Sequence, residues 1–226
     1  MGEDGDFIIY NILKKRRDNF MKKTNNKGFS LVELIIVIAI MAILAGAIAP
    51  ALIKYIDKSR KSNDVSSAKT IKTAVETALG NESIYEYITG GSSYAYITVY
   101  PGESTATGGA GADAVDIRFD GTAPSADING KSVDELKALA IEQIAANIGE
   151  KTPKLKYRKN AADEKDGDAP TEFVAVVSKK GTVYVYISVM TKDSFKIKED
   201  KTTKDPVVSD KDMGFQICPN ICDEYQ

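Results

Sequence analysis

The 226-residue chain contains no histidine and no tryptophan, and its only cysteines, Cys218 and Cys222, stand near the C-terminal end. Without histidine there is no imidazole to serve as a general base near neutral pH, and the histidine-centred nucleophilic triads lose their middle member. Two cysteines with no histidine fall two ligands short of a four-coordinate zinc site, so no metal and no cofactor are expected. No serine, threonine or cysteine stands beside an evident activating partner, and no phosphate-cradling loop or H-E-x-x-H helix occurs. The glycine-rich stretch Gly108 to Gly111 follows a strand-like run but opens no helix, which removes the dinucleotide context. Enzymatic activity is not expected.

Charge is the next absence. From Leu34 to Ile53 there are twenty consecutive residues with no ionisable side chain. About 20 apolar residues are what a helix needs to cross a bilayer. Seven basic residues precede the run (Lys14, Lys15, Arg16, Arg17, Lys22, Lys23 and Lys27). The positive-inside tendency therefore keeps the N-terminal segment cytoplasmic. One carboxylate, Glu33, stands at the entrance to the run. A charged Glu at membrane depth costs roughly 2.5 to 3.5 kcal/mol on insertion scales and less near the interface, so it calls for a partner or for contact with the headgroups.

A secretory signal peptide is excluded by length, since its apolar core runs about 7 to 15 residues, although Ala45-Gly46-Ala47 has the form of an A-x-A site. No cysteine follows that could carry a lipid. A plain single-span anchor remains compatible with the run alone. The residues at its entrance decide further. Lys27 to Glu33 reads K-G-F-S-L-V-E, and Gly28, Phe29, Ser30, Leu31 and Glu33, followed by an apolar helix, closely resemble the type III signal of prepilins, the precursors of type IV pilins and pseudopilins. The resemblance implies that a prepilin peptidase, which is also the methyltransferase, cuts after Gly28 and that the new N-terminal Phe29 is N-methylated. Cutting there creates an ammonium group four residues before Glu33. On a rigid helix, another copy's terminus can also satisfy that carboxylate, and the resemblance implies that this pairing registers incoming subunits.

Met21 opens a short basic leader, M-K-K-T-N-N-K-G, whereas residues 1–20 mix Phe7, Ile8, Ile9 and Tyr10 with Glu3, Asp4 and Asp6; translation is expected to start at Met21. A cut after Gly28 removes seven basic and four acidic groups, leaving 23 and 28 and a net charge near −5, which argues against nucleic acid as the ligand of the folded part. The remaining 198 residues hold one ordinary domain beyond a long helix.

Helical spacing predicts a helix from Phe29 to about Leu79, stopped by Gly80. Its first half, residues 29–53, is the membrane and polymerisation segment; its second, residues 54–80, is amphipathic, with Val65, Ala68, Ile71, Val75, Ala78 and Leu79 as the stripe that packs on a head domain. Pro50, four residues after Gly46, removes one helical hydrogen bond and clashes with the preceding turn. Either a tolerated kink or, as the resemblance implies for assembled pili, an extended segment follows.

Residues 81–226 read as a head of strands: Tyr94 to Tyr100, Ala114 to Phe119, Phe173 to Val177 and Val183 to Val189, the last two joined at Lys179-Lys180-Gly181 as a hairpin, with Phe195 to Lys198 as an edge strand. Ser132 to Ile148 reads as a helix with a capping-box spacing to Glu135 and Gly149 at its end. The expected fold is α+β, a long N-terminal α-helix packed on a C-terminal antiparallel β-sheet domain with an inserted helix. Cys218-Pro-Asn-Ile-Cys222 suggests a small disulfide ring, worth only about 2 to 3 kcal/mol by chain entropy. Many Gram-negative pilins enclose a much longer C-terminal loop, so the short ring suggests a Gram-positive source. Asp163 to Asp168 departs from the EF-hand spacing and reads as a solvated turn. Asn81-Glu82-Ser83 matches a glycosylation sequon of the kind chance supplies.

The resemblance implies a structural subunit of a type IV pilus, held in the cytoplasmic membrane by one span before assembly and extracellular after it. Its implied partners are further copies in a helical filament, the prepilin peptidase, an assembly ATPase and an inner-membrane platform protein. A pseudopilin, a minor pilin and an uncut single-span protein are the alternatives.

Overall fold

The computed structural model describes residues 29–103, 114–157, 170–188, 195–197, 206–207, 209–210 and 214–226. The proposed leader, Met21, Gly28, the Gly108 to Gly111 stretch and the acidic run 163–168 lie outside the described residues. Two compact units divide the chain, Met1–Ala51 and Leu52–Gln226.

In the first unit the described residues belong to helix α1, Leu31–Ala78, which continues into the second unit and runs unbroken through Pro50. The proline leaves the Gly46 carbonyl without its i+4 donor. A Cβ on Gly46 would meet nothing within 4 Å, so the space beside that turn is open.

In the second unit α1 buries one stripe, Asp64, Val65, Ala68, Ile71, Ala74, Val75 and Ala78, at the helical spacing read from the sequence, with Asp64 and Ala74 added. α1 ends at Ala78 rather than Leu79, and Gly80 sits in the turn after it, its N–H donating to Thr77 O at 3.1 Å. The chain then forms a second helix, α2 (Glu82–Thr89), ahead of the first expected strand, in a segment for which no helix was expected. Asn81 caps it, its side chain accepting from Ser83 N–H at 3.1 Å. The sequon asparagine is thus occupied as a helix cap. Ile84, Tyr87 and Ile88 bury the inner face of α2.

Six strands make one antiparallel sheet: β1 (Ala95–Val99), β2 (Val115–Phe119), β3 (Glu172–Val177), β4 (Val183–Ser188), β5 (Ser209–Asp210) and β6 (Gly214–Cys218), in the order β2-β1-β3-β4-β6-β5. Helix α3, Val133–Ile148, precedes β3 and opens with the predicted capping box between Ser132 and Glu135. The β3–β4 hairpin also forms as read, with Val177 opposite Val183. Gly181 takes the left-handed conformation its turn requires, φ +76°.

Period-two alternation sorts the sheet's side chains between two cores. Ile97, Val99, Phe173, Ala175, Val185, Ile187, Phe215 and Ile217 share the larger core with α1, α2 and α3. Tyr96, Val174, Val176 and Tyr186 turn the other way and gather around Phe195. Both faces are therefore covered. Phe195 to Ile197 do not form the expected edge strand; they cross this second face. The Phe195 ring stands edge-on to Tyr96 at 5.6 Å, Arg118 Nη2 donates to Phe195 O at 2.8 Å, and Ile197 N–H donates to Tyr96 Oη at 3.0 Å. With those polar groups met by side chains, the segment needs no strand ladder.

Gly214, the first residue of β6, lies under this plug with φ +154°, and a Cβ on it would stand 2.6 Å from Ile187 O and 3.1 Å from the Phe195 ring. Gly214→Ala is expected to lower unfolding free energy by about 2 kcal/mol, the usual scale for a clash at a strained backbone position. Urea unfolding followed by circular dichroism reads this directly; a change below about 0.5 kcal/mol, the scale of a plain surface substitution, would show that the backbone yields.

Asp64 connects α1 to the segment before β3. Its carboxylate is fully buried. It accepts the N–H of Lys156 at 2.7 Å and of Tyr157 at 2.8 Å. One turn earlier, Lys61 Nζ stands over the rings of Tyr157 and Tyr225, at 5.2 and 5.7 Å. This clamp brings the chain's last buried side chain, Tyr225, to the same stretch of α1.

Candidate functional site

The residues singled out at the N-terminus come together at the start of α1. Phe29 is 80% exposed and precedes the helix. Ser30 is the cap: its Oγ accepts Val32 N–H at 3.3 Å and its C=O accepts Leu34 N–H at 3.2 Å. Glu33 reaches back, Oε2 accepting the Ser30 N–H at 2.9 Å. Ser30 and Glu33 thus form an incomplete capping box: the Glu33 half is made, while Ser30 Oγ takes the N–H of Val32, one residue short of the Glu33 N–H used by the full motif. The S-x-x-E spacing was visible in the sequence; the apolar run behind it drew attention to Glu33 as a membrane charge instead. The carboxylate also lies in the first turn, where the helix dipole favours a negative group.

Behind this box every residue from Phe29 to Ile56 is exposed, including Leu31, Ile35, Ile36, Ile38, Ile40, Met41, Ile43 and Leu44. α1 is long and apolar enough to cross a membrane, and it is the one such helix among the described residues. A helix that is apolar all round is one built for lipid or for a core supplied by other chains.

A family model for the prokaryotic N-terminal methylation motif matches residues 23–49, the leader's end, the box and most of the apolar run. The N-terminal segment is similar to that of type IV fimbrial proteins. Within it the chain is 44% identical to the type IV major fimbrial protein FimA of Dichelobacter nodosus over 57 residues, 25% of this chain and 36% of that protein. It is 51% identical to fimbrial protein Q of Moraxella bovis over 53 residues, 24% of this chain and 34% of that one. A fimbrial protein of Pseudomonas aeruginosa matches at 42% over 53 residues, 24% of this chain and 34% of its own length. The chain spans about a third of the length of these curated relatives. No solved structure matches it.

The long helix followed by an antiparallel sheet is the α+β architecture of type IV pilins. No group of three His, Cys, Asp or Glu side chains able to hold a metal occurs among the described residues. Cys218 and Cys222 are both buried in the larger core and are not joined to each other, where the C-P-N-I-C spacing had suggested a disulfide. Cys218 ends β6, and Cys222 N–H returns to Gln216 O at 3.0 Å, so both sulfurs are held as small apolar groups. Burial pushes the Cys218 thiol above its ordinary range, against the pull of Lys72 and Lys69, which makes it a poor nucleophile.

Proposed function

We propose that the chain is a structural subunit of a type IV pilus, made as a precursor, cut after Gly28, N-methylated on Phe29 and polymerised through α1 into a helical filament. The observation that carries this reading is the exposed apolar helix lying directly behind the methylation motif. Before assembly, residues Leu34 to Ile53 lie in the cytoplasmic membrane; after it they pack against copies of themselves and the heads form the outer surface. Glu33 pairs with the Phe29 ammonium, its own or a neighbour's. The Gly46–Pro50 turn, already short of one hydrogen bond, is where the helix would give way if subunits stretch.

The head's construction fits a subunit that assembles by its helix and not by its sheet. Among the described residues one edge strand of the sheet, β5, has only two residues, too short to template a partner strand. Partners implied are the prepilin peptidase and methyltransferase, an assembly ATPase, a platform protein and other copies of the chain. The part played is structural, with no reaction of its own. On the oxidising side of a membrane, a Cys218–Cys222 bond would fix the tail locally.

The test is electron microscopy of filaments sheared from cells, with N-terminal mass analysis of their dominant band. A dominant subunit that begins at Phe29 and carries one added methyl group is the expected result. Cell-bound protein beginning at Phe29 without filaments would replace this reading with a pseudopilin or minor subunit. Retention of the leader would overturn it.

A further inference from the structure

Four basic residues, Lys54, Lys58, Arg60 and Lys61, follow the apolar run within eight positions, against one acidic residue, Asp57. They stand on the side of the span that the positive-inside tendency depletes, with the basic residues Lys22, Lys23 and Lys27 at the other end of the precursor. Topology does not account for them. Two are accounted for by the fold. Arg60 Nη1 lies 3.8 Å from Asp57 Oδ1, and Lys61 Nζ sits over Tyr157 and Tyr225. Lys54 and Lys58 are exposed and have no partner among the described residues.

These two are four positions apart, so they share a helix face, where like charges repel and weaken the helix. An anion held between them reverses that cost. Their position names the anion. The headgroup layer adds about 5 to 8 Å to each side of the hydrocarbon core, or roughly three to five residues of helix rise. Counted from Ile53, that layer takes in residues 54–58: Lys54, Tyr55, Ile56, Asp57 and Lys58, of which Asp57 is already engaged with Arg60. Tyr55 is 72% exposed, an amphipathic ring at the level where membrane proteins place tyrosine.

We propose that Lys54 and Lys58, with Tyr55, form a collar that binds the phosphate of anionic phospholipids in the outer leaflet of the membrane and sets the depth at which the unassembled subunit is stored. The proposal rests on the reading of Leu34 to Ile53 as a bilayer span. The subunit then leaves the membrane only by giving up those phosphates, and the collar's charge helps set the ease of extraction.

The absence of tryptophan supplies a clean probe. The full chain carrying Tyr55→Trp is reconstituted in phosphatidylcholine vesicles, and quenching of its indole by brominated phosphatidylglycerol is compared with quenching by brominated phosphatidylcholine. Each basic residue near an anionic surface contributes about fivefold to affinity, so a preference for phosphatidylglycerol of roughly 25-fold is expected at low salt. Adding K54Q and K58Q together should bring it to about one, K54R and K58R should retain it, and about 1 M salt should abolish it. A preference near one with both lysines in place, or one that survives the double glutamine change, overturns the proposal. So does a double glutamine change that leaves lipid preference intact and stops filament formation, since the lysines would then face acidic groups of neighbouring copies. Resistance to alkaline extraction from the vesicles tests the span by itself: protein that washes off negates the span, whereas retained protein without lipid preference negates the collar alone.

Discussion

Glu33→Gln is expected to be cut, methylated and stored in the membrane like the unaltered chain, and to yield almost no filaments. Glutamine at this position keeps the half of the capping box that is made, because its side-chain oxygen accepts the Ser30 N–H as Glu33 Oε2 does at 2.9 Å. It removes only the charge. If the carboxylate's work is to meet the Phe29 ammonium of a neighbouring copy, losing a charged hydrogen bond of about 2 kcal/mol weakens each subunit addition roughly thirtyfold. Glu33→Leu should stop assembly as well, while also fraying the first turn of α1. The pair of variants separates two roles that the structure superimposes on one side chain. Sheared filament yield and the mass of the membrane-held subunit are the measurements. Full filament yield from Glu33→Gln would mean that Glu33 is a helix cap and that subunit registration comes from the apolar surface instead.

Asp64→Ala is expected to have the largest effect on the head, about 3 to 5 kcal/mol of unfolding free energy, because it leaves two buried N–H groups, of Lys156 and Tyr157, with no acceptor. In a unit of the size Leu52–Gln226, that corresponds to a fall in Tm of roughly 10 °C. Thermal unfolding of the full chain in detergent micelles checks it, and a fall of under about 2 °C would show that water or a shift of residues 156 and 157 supplies the missing bonds. A pH dependence accompanies it. Burial raises the Asp64 carboxyl above its ordinary value of 3.8, opposed by the two backbone hydrogen bonds and the Lys156 charge. The folded chain then binds this proton more tightly than the unfolded one, so Asp64's contribution is greatest below about pH 3.8 and declines as pH rises through its folded value. Asp64→Asn, which cannot titrate, should remove that slope from the stability curve.

Much of the head was legible because its signals are local. Ser132 and Glu135 lie three residues apart and form their capping box wherever the helix goes, and Lys179-Lys180-Gly181 makes its turn within five residues. The same Ser-x-x-Glu signal at Ser30 and Glu33 passed unread only because a stronger pattern overlapped it. Helix α2 was hidden by its residues: Ile84, Tyr85, Tyr87 and Ile88 favour strands in isolation, and they turn helical because Ile84, Tyr87 and Ile88 meet one core. Tertiary packing outweighs a propensity difference of a few tenths of a kcal/mol per residue.

Phe195 and Asp64 mark the boundary more sharply. Nothing near Phe195 in the chain tells that Tyr96 and Tyr186, about a hundred and nine residues away respectively, leave a socket for its ring on the sheet's second face. Asp64 reads as one more polar residue of an amphipathic helix, and only the approach of residues 156 and 157 turns it into a buried clamp. By itself the sequence determined the apolar run, the basic residues before it, the methylation motif at its entrance and the helix it opens. Those depend on composition and on spacings of a few residues. Which face of the sheet is covered, what meets the Asp64 carboxylate and which of the four juxtamembrane cations remain unpartnered were decided by tertiary structure, because each depends on groups brought together from distant parts of the chain only when the core closes.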